Sequence, residues 1–259
     1  MNEKSKLKIL LFVLIIIFFA VNYPVLDKVL TNWFVDYEVG FVERVIDGDT
    51  IVINGSSVRL LGINCAEKGE PYYNEAKLFL EKKVLNKIVK MKFEKEDVDL
   101  YRRKLRYVFV DGENINEKLV EEGLANIYFP SGKDSYYNSF SDAWKTCIEN
   151  KKNLCEKSDS VCSSCIELKK LDTKNQKLVL KNNCGFGCDL TSWSIKDEGR
   201  KKFVFENFVL EKEVVIIVGD GKNTKENLFW SGEDYVWTAS GDSIFLRDEK
   251  GKLILWWSY

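Results

Sequence analysis

From Val39 onward the chain is cut into short β-rich runs by turn signatures, and this punctuation limits its fold more than any other feature. Val42 to Ile46, Thr50 to Ile53 and Ser57 to Ile63 are separated by Asp47-Gly48-Asp49 and Asn54-Gly55-Ser56. Turn residues between β-branched runs predict consecutive antiparallel hairpins. At Tyr73 to Val89 the period changes: Ala76, Phe79, Leu80, Val84, Leu85 and Ile88 recur at spacings near three and four, with Lys and Glu between them. That spacing predicts an amphipathic helix with one face on a core. Strands return at Val89 to Phe93 and Leu105 to Val110, and Asp111-Gly112 turns the chain. Asn116 stands where it could cap a helix running through Leu124, and Ser135 to Glu149 is a second helical stretch.

Three strands, a helix, two strands and then helices is the order of a five-stranded Greek-key barrel of the OB type, whose rim is a common nucleic-acid site. Fold order alone does not assign function. Beyond a polar, Ser-rich linker at 157–164, strands are expected at Ile166 to Leu171, Lys177 to Lys181, Trp193 to Lys196, Lys202 to Phe205, Val214 to Gly219, Tyr235 to Trp237, Ser243 to Arg247 and Leu253 to Trp257. Many short strands with Gly and Asn turns and no long helix predict a β-sandwich. The chain is therefore expected to be mainly β, with a barrel domain at 37–156 and a sandwich at 165–259.

At 259 residues the chain has length for two domains, and 45% hydrophobic residues can fill two cores. Its formal net charge of -1 gives no global pull on polyanions, so nucleic acid would have to be held by a local patch. The absence of histidine excludes imidazole bases, Ser-His or Cys-His nucleophiles and His-ligated zinc. Carboxylate, guanidinium and metal chemistry remain. At the N-terminus Lys4, Lys6 and Lys8 precede an apolar run from Ile9 to Val21. Residues 1–36 are thus expected to form a hydrophobic helix that enters a membrane, as an uncleaved anchor or a removed signal. Either case places the rest outside the cytoplasm.

Asp49, Arg59, Glu67 and Arg103 are spaced as one phosphodiester-cleaving site. The segments Val45-Ile46-Asp47-Gly48-Asp49-Thr50, Val58-Arg59-Leu60-Leu61-Gly62-Ile63-Asn64-Cys65-Ala66-Glu67, Asp99-Leu100-Tyr101-Arg102-Arg103-Lys104-Leu105 and Asp111-Gly112 to Gly123-Leu124-Ala125 resemble, in order and spacing, the staphylococcal nuclease (thermonuclease) family. The resemblance spans about residues 40 to 155. It implies that Glu67 is the general base or water-positioning carboxylate, that Arg59 and Arg103 grip the phosphate, and that Asp49 helps hold a calcium ion. It also implies endonucleolytic cleavage of DNA and RNA that leaves 3'-phosphates. Paired guanidinium donors suit the charge that builds on nonbridging oxygens, and a hard cation adds Lewis acidity.

The chain departs from the family's pattern where Asn64-Cys65-Ala66 replaces an aspartate, a threonine and a proline. One metal carboxylate thereby becomes an amide, which lowers cation affinity. Cys65 is read as a small buried residue that offers its carbonyl to the metal. Arg102 replaces a glycine, and Leu100 replaces a lysine. Tyr101, Arg102 and Phe129 are candidate nucleic-acid contacts, with barrel packing the alternative for the two aromatics. Unpaired or single-stranded substrate suits such a site.

The run from Asn182-Asn183-Cys184 through Asp189-Leu190-Thr191-Ser192-Trp193, Asp197-Glu198, Gly219-Asp220-Gly221 and Val236-Trp237 to Asp248-Glu249-Lys250-Gly251 resembles the lamin-tail family. That resemblance implies an immunoglobulin-like module with a binding or spacer role for a partner not yet known. If Thr173 to Gln176 turns a hairpin, Cys165 and Cys184 face each other, with Cys162 and Cys188 just beyond. These four thiols could form disulfides or a zinc site; Cys147 and Cys155 could pair separately. The sequence as a whole reads as an extracytoplasmic calcium-dependent nuclease. The rivals are a noncatalytic nucleic-acid-binding module and an envelope structural protein.

Overall fold

The computed structural model describes Ser5, residues 11–13 and residues 37–259. The expected membrane segment at 1–36 lies outside the described residues, apart from Ser5 and 11–13, which are helical. No helix among the described residues is long and apolar enough to cross a membrane. Val39–Tyr259 form one compact unit.

The hairpins fall where the turn residues put them. Strand β1 (Glu38–Val45) pairs antiparallel with β2 (Thr50–Ile53), and β2 with β3 (Ser56–Leu60). A short strand β4 (Gly62–Cys65) follows. Helix α1 (Tyr73–Val84) buries Ala76, Leu80 and Val84, the face its spacing predicts. It stops before the expected Val89 because Leu85 is extended and Asn86 takes a left-handed φ of 58°. The next residues then enter β5 (Ile88–Lys92), which pairs with β6 (Lys104–Val110). Strand β6 also runs parallel to β3, and this pairing closes β1, β2, β3, β6 and β5 into the five-stranded barrel.

After β7 (Glu113–Asn114), helix α2 (Ile115–Glu121) is capped by Asn114, whose side chain accepts from the Glu117 amide. The cap expected at Asn116 is therefore misplaced by two residues. Asn116 is fully buried; its amide donates to the carbonyls of Leu61 and Arg106 and accepts from the Val108 N–H. A polar group aimed into a barrel wall must be satisfied, and here it stitches strands together rather than ending a helix. Strand β8 (Ala125–Tyr128) pairs with β4, and α3 (Tyr137–Asn150) packs Phe140, Ala143 and Trp144 inward.

The second region builds two four-stranded sheets. One contains β9 (Ile166–Asp172), β10 (Lys177–Asn182), β15 (Glu213–Val218) and β16 (Asn227–Trp230). The other contains β12 (Ser194–Lys196), β13 (Lys202–Val204), β17 (Ser243–Arg247) and β18 (Leu253–Ser258). Between them β11 (Cys188–Asp189) pairs with β14 (Val209–Leu210). Leu178, Leu180, Val214 and Ile216 from the first sheet share a core with Ile195, Phe203, Ile244 and Leu246 from the second, as a sandwich requires. No strand forms at Tyr235 to Trp237. There the Gln176 side chain accepts the N–H groups of both Val236 and Trp237 and takes the place of a neighbouring strand.

The β9–β10 register, Asp172 opposite Lys177, leaves Thr173 to Gln176 as the turn. Cys165 is bridged to Cys184, Cys162 to Cys188, and Cys147 to Cys155. The sulfurs of Cys162, Cys184 and Cys188 lie within 4.8 Å of one another. The two cores also meet: Phe245 and Leu253 of the second region pack into the barrel's apolar cluster.

Candidate active site

The site begins at the Asp47-Gly48-Asp49 turn, which enters β2 against β4. A Cβ at Gly48 would lie 2.9 Å from the Cys65 side chain and 2.8 Å from Ala76, so only glycine permits this approach. The approach lets an Asp49 carboxylate oxygen accept the Cys65 N–H at 3.1 Å and pair with Arg59 at 3.1 Å. Its other oxygen accepts the Thr50 hydroxyl at 3.0 Å. Arg59, on β3, is only 6% exposed. Its guanidinium donates to the carbonyls of Leu60 and Ile63 and, at 3.4 Å, to the Asn64 amide oxygen. Arg103 approaches from the other side: its Nε donates to Asp99 at 2.7 Å, and an Nη donates to the Thr50 hydroxyl at 3.4 Å. The two arginines are thus tied to the same Asp49–Thr50 pair. Although partly buried, the Asp99 carboxyl is held below the usual carboxylate range by its hydrogen bonds from Arg103.

Both guanidiniums line a groove of about 570 Å³ together with Asn64, Leu100, Tyr101, Tyr128, Phe129 and Arg200. Tyr101 is 78% exposed, and its ring lies 5.5 Å from the Arg103 guanidinium. Phe129 is 8% exposed and packs edge-on against Tyr137 and Phe140, so barrel packing accounts for its ring. Arg102 holds a left-handed φ of 62° at the turn before β6, which explains why glycine suits that position.

Glu67 follows β4, and its N–H donates to Glu70. Its carboxylate pairs at 3.1 Å with Arg200, a residue of the second region. Sequence reading missed this neighbour. The charged run Asp197-Glu198-Gly199-Arg200-Lys201 was visible as a turn between strands, but its destination across the molecule was not.

The oxygen donors suit a hard cation. Asp49, the Asn64 amide oxygen and the Cys65 carbonyl are ligand types that calcium takes. Asp47, next to them, has its carboxyl pushed up by burial first and by the charge of Asp49 second, with Arg59 acting the other way. Burial pushes the Cys65 thiol well above its ordinary value, so it is no nucleophile.

Comparison with known proteins agrees with this geometry. The staphylococcal nuclease homologue family matches residues 57–157. The thermonuclease of Staphylococcus hyicus is 34% identical over 123 residues, which are 44% of this chain and 73% of that protein. The thermonuclease of Staphylococcus intermedius is 35% identical over 126 residues, 45% of this chain and 75% of that protein. Endonuclease YncB of Bacillus subtilis is 36% identical over 99 residues, 34% of this chain and 47% of that protein. Two arginines lining one groove of a closed five-stranded barrel fit the nuclease class that these relatives' names give. The chain belongs to the staphylococcal nuclease homologue family.

Proposed function

We propose that the protein is an extracytoplasmic, calcium-dependent endonuclease that hydrolyses DNA and RNA to 3'-phosphate ends. The observation that carries this reading is the convergence of Arg59 and Arg103 on the Asp49–Thr50 pair at one groove wall. Two fixed guanidiniums there can hold a phosphodiester and meet the negative charge that grows on its nonbridging oxygens during attack. Glu67 takes a proton from the attacking water. The water oxygen bonds to phosphorus and the bond from phosphorus to the 5'-oxygen breaks, so the phosphate stays on the 3' side; the leaving oxygen takes a proton from solvent water, and Glu67 returns its own to solvent. Calcium held by Asp49, Asn64 and the Cys65 carbonyl would supply Lewis acidity to that phosphate.

Tyr101 offers an exposed ring on which an unpaired base can stack, which supports a single-stranded or frayed substrate. The apolar run at Ile9 to Val21 behind three lysines, together with three disulfides, supports a place outside the cytoplasm at the membrane or beyond it. Residues 165–259 are read as a lamin-tail module, in accord with their two sheets on one core.

The test is cleavage of a single-stranded oligonucleotide by the full chain, with calcium and with chelator, beside Glu67→Gln. Loss of a general base predicts a fall of about 10²–10⁴-fold in kcat. Equal cutting by Glu67→Gln, or equal cutting in chelator, overturns the reading.

A further inference from the structure

We infer that the second region completes the active site: Arg200, at the β12–β13 hairpin, is a third guanidinium that binds the substrate phosphate. The inference rests on the nuclease reading above and adds a residue that lies outside the family's matched segment. The hairpin reaches the site through contacts that fix it in place. The Asn64 amide donates to the Gly199 carbonyl at 2.7 Å, and the Phe129 N–H donates to the Glu198 carboxylate at 3.1 Å. On the hairpin's own side, Asp242 accepts the Glu198 N–H at 3.3 Å and Asp197 accepts the Lys201 N–H at 2.9 Å. Lys196 adds an ion pair to Glu70 at 3.7 Å.

The Asn64 contact explains a substitution that otherwise only weakens a metal site. An aspartate at this position would set a carboxylate oxygen against the Gly199 carbonyl oxygen, whereas asparagine turns that clash into a hydrogen bond. The residue and the hairpin are matched. Replacing a carboxylate by an amide removes one negative charge, and Arg200 adds one positive charge.

Unlike its anchored stalk, Arg200 keeps 63% of its side chain exposed while lining the same groove as Arg59 and Arg103. Its Nε engages Glu67, itself 56% exposed. An ion pair this open is weak, because water screens both partners. A phosphate entering the groove can thus recruit the guanidinium without a large penalty, and Glu67 is then released for its proton.

The test uses the full chain and a fluorescent single-stranded oligonucleotide. Affinity and its salt dependence are read in chelator, and kcat/KM is read with calcium. Arg200→Ala should weaken binding and lower kcat/KM by about tenfold or more, and should reduce the salt slope by about 0.7, the value for one lost phosphate contact on a single strand. Arg200→Lys should restore part of the binding, and Lys222→Ala, on an exposed loop, should change nothing. An unchanged affinity and slope in Arg200→Ala overturns the inference. So does faster cutting, which would make the hairpin a latch over Glu67. If the wild type binds but does not cut, the nuclease reading falls while the binding arm still decides Arg200's role. If the wild type does not bind at all, both fall.

Discussion

Beside the groove the two regions handle their charged groups differently. The barrel wall buries guanidiniums, Arg59 at 6% and Arg106 at 1% exposure, and pairs them with Asp49 and Asp97. The second region gathers carboxyl groups beside it, Asp197 and Asp242 buried and Glu198 half-buried, and satisfies them largely with backbone N–H groups. Arginine as a residue type keeps its charge at any ordinary pH. Buried acids crowded together behave differently. Burial first, and the Asp242 charge second, push Asp197 up to about 7 and Glu198 up to about 8. One wall is therefore built for constant charge, and the other answers to pH.

The largest expected effect separates two arginines within the barrel wall itself. Arg59→Ala leaves Asp49 buried without its partner, and removing one member of a buried pair lowers stability by about 3–5 kcal/mol. Arg103→Ala breaks a more exposed pair with Asp99, with side chains 24% and 18% exposed, so stability should hardly change. Both variants should lose activity by about 10²–10³-fold, the scale for one donor to a developing anion. Urea melts beside kcat/KM measure the split. Equal melts for the two variants would mean that Arg59 is not the structural member of the pair.

The hairpin wall gives the next effect, in stability against pH. Unfolded carboxyls titrate near ~4, whereas Asp197 and Glu198 in the folded chain titrate at about 7 and about 8. Between those limits the folded state holds more protons than the unfolded one. Stability must therefore be greatest at the acid end of this window and fall as pH rises from ~4 toward 8. The melting temperature should drop by several degrees, on the order of ~4–8 °C per kcal/mol in a small domain and less in a chain of this size. Asp242→Asn removes the second of the causes that raise both neighbours and leaves burial, so it should make the profile shallower. A wild-type melting temperature that stays level or rises over the window would contradict the assignment.

The barrel wall was far more legible in sequence than the hairpin wall, for a physical reason. Asp49 and Arg59 sit on one hairpin, so their spacing along the chain maps onto distance in space, whereas Arg103 was placed by the family resemblance and arrives through the β3–β6 pairing. Asp49 and Arg59 are ten residues apart in sequence and face each other because β2 and β3 form one hairpin. The β-rich punctuation likewise carried the strand order and the β9–β10 turn. What failed was what depends on the other half of the molecule or on a side chain's direction. Asn116 resembles a cap until the barrel wall claims its amide. Tyr235 to Trp237 resembles a strand until Gln176 takes its N–H groups. Asn64 reads only as a weakened metal ligand until Gly199, separated by 135 positions, accepts its hydrogen bond.

The smallest effect returns to the barrel side of the groove and sets fold against function at one residue. Arg102 occupies a left-handed φ of 62° in the turn that presents Tyr101 and Arg103, and its N–H donates to the Asp99 carbonyl at 3.0 Å. That conformation costs a side-chain-bearing residue about 1–2 kcal/mol, while glycine's greater unfolded freedom takes back about 0.5–1 kcal/mol. Arg102→Gly should therefore stabilise the chain by about half a kcal/mol, read as a small rise in the urea midpoint. Oligonucleotide affinity should fall at the same time, with a shallower salt slope, because a cation is lost between the groove-lining Tyr101 and Arg103. If stability rises with no loss of affinity, Arg102 contributes nothing to binding, and the positive wall of the groove contracts to Arg59, Arg103 and the hairpin's Arg200.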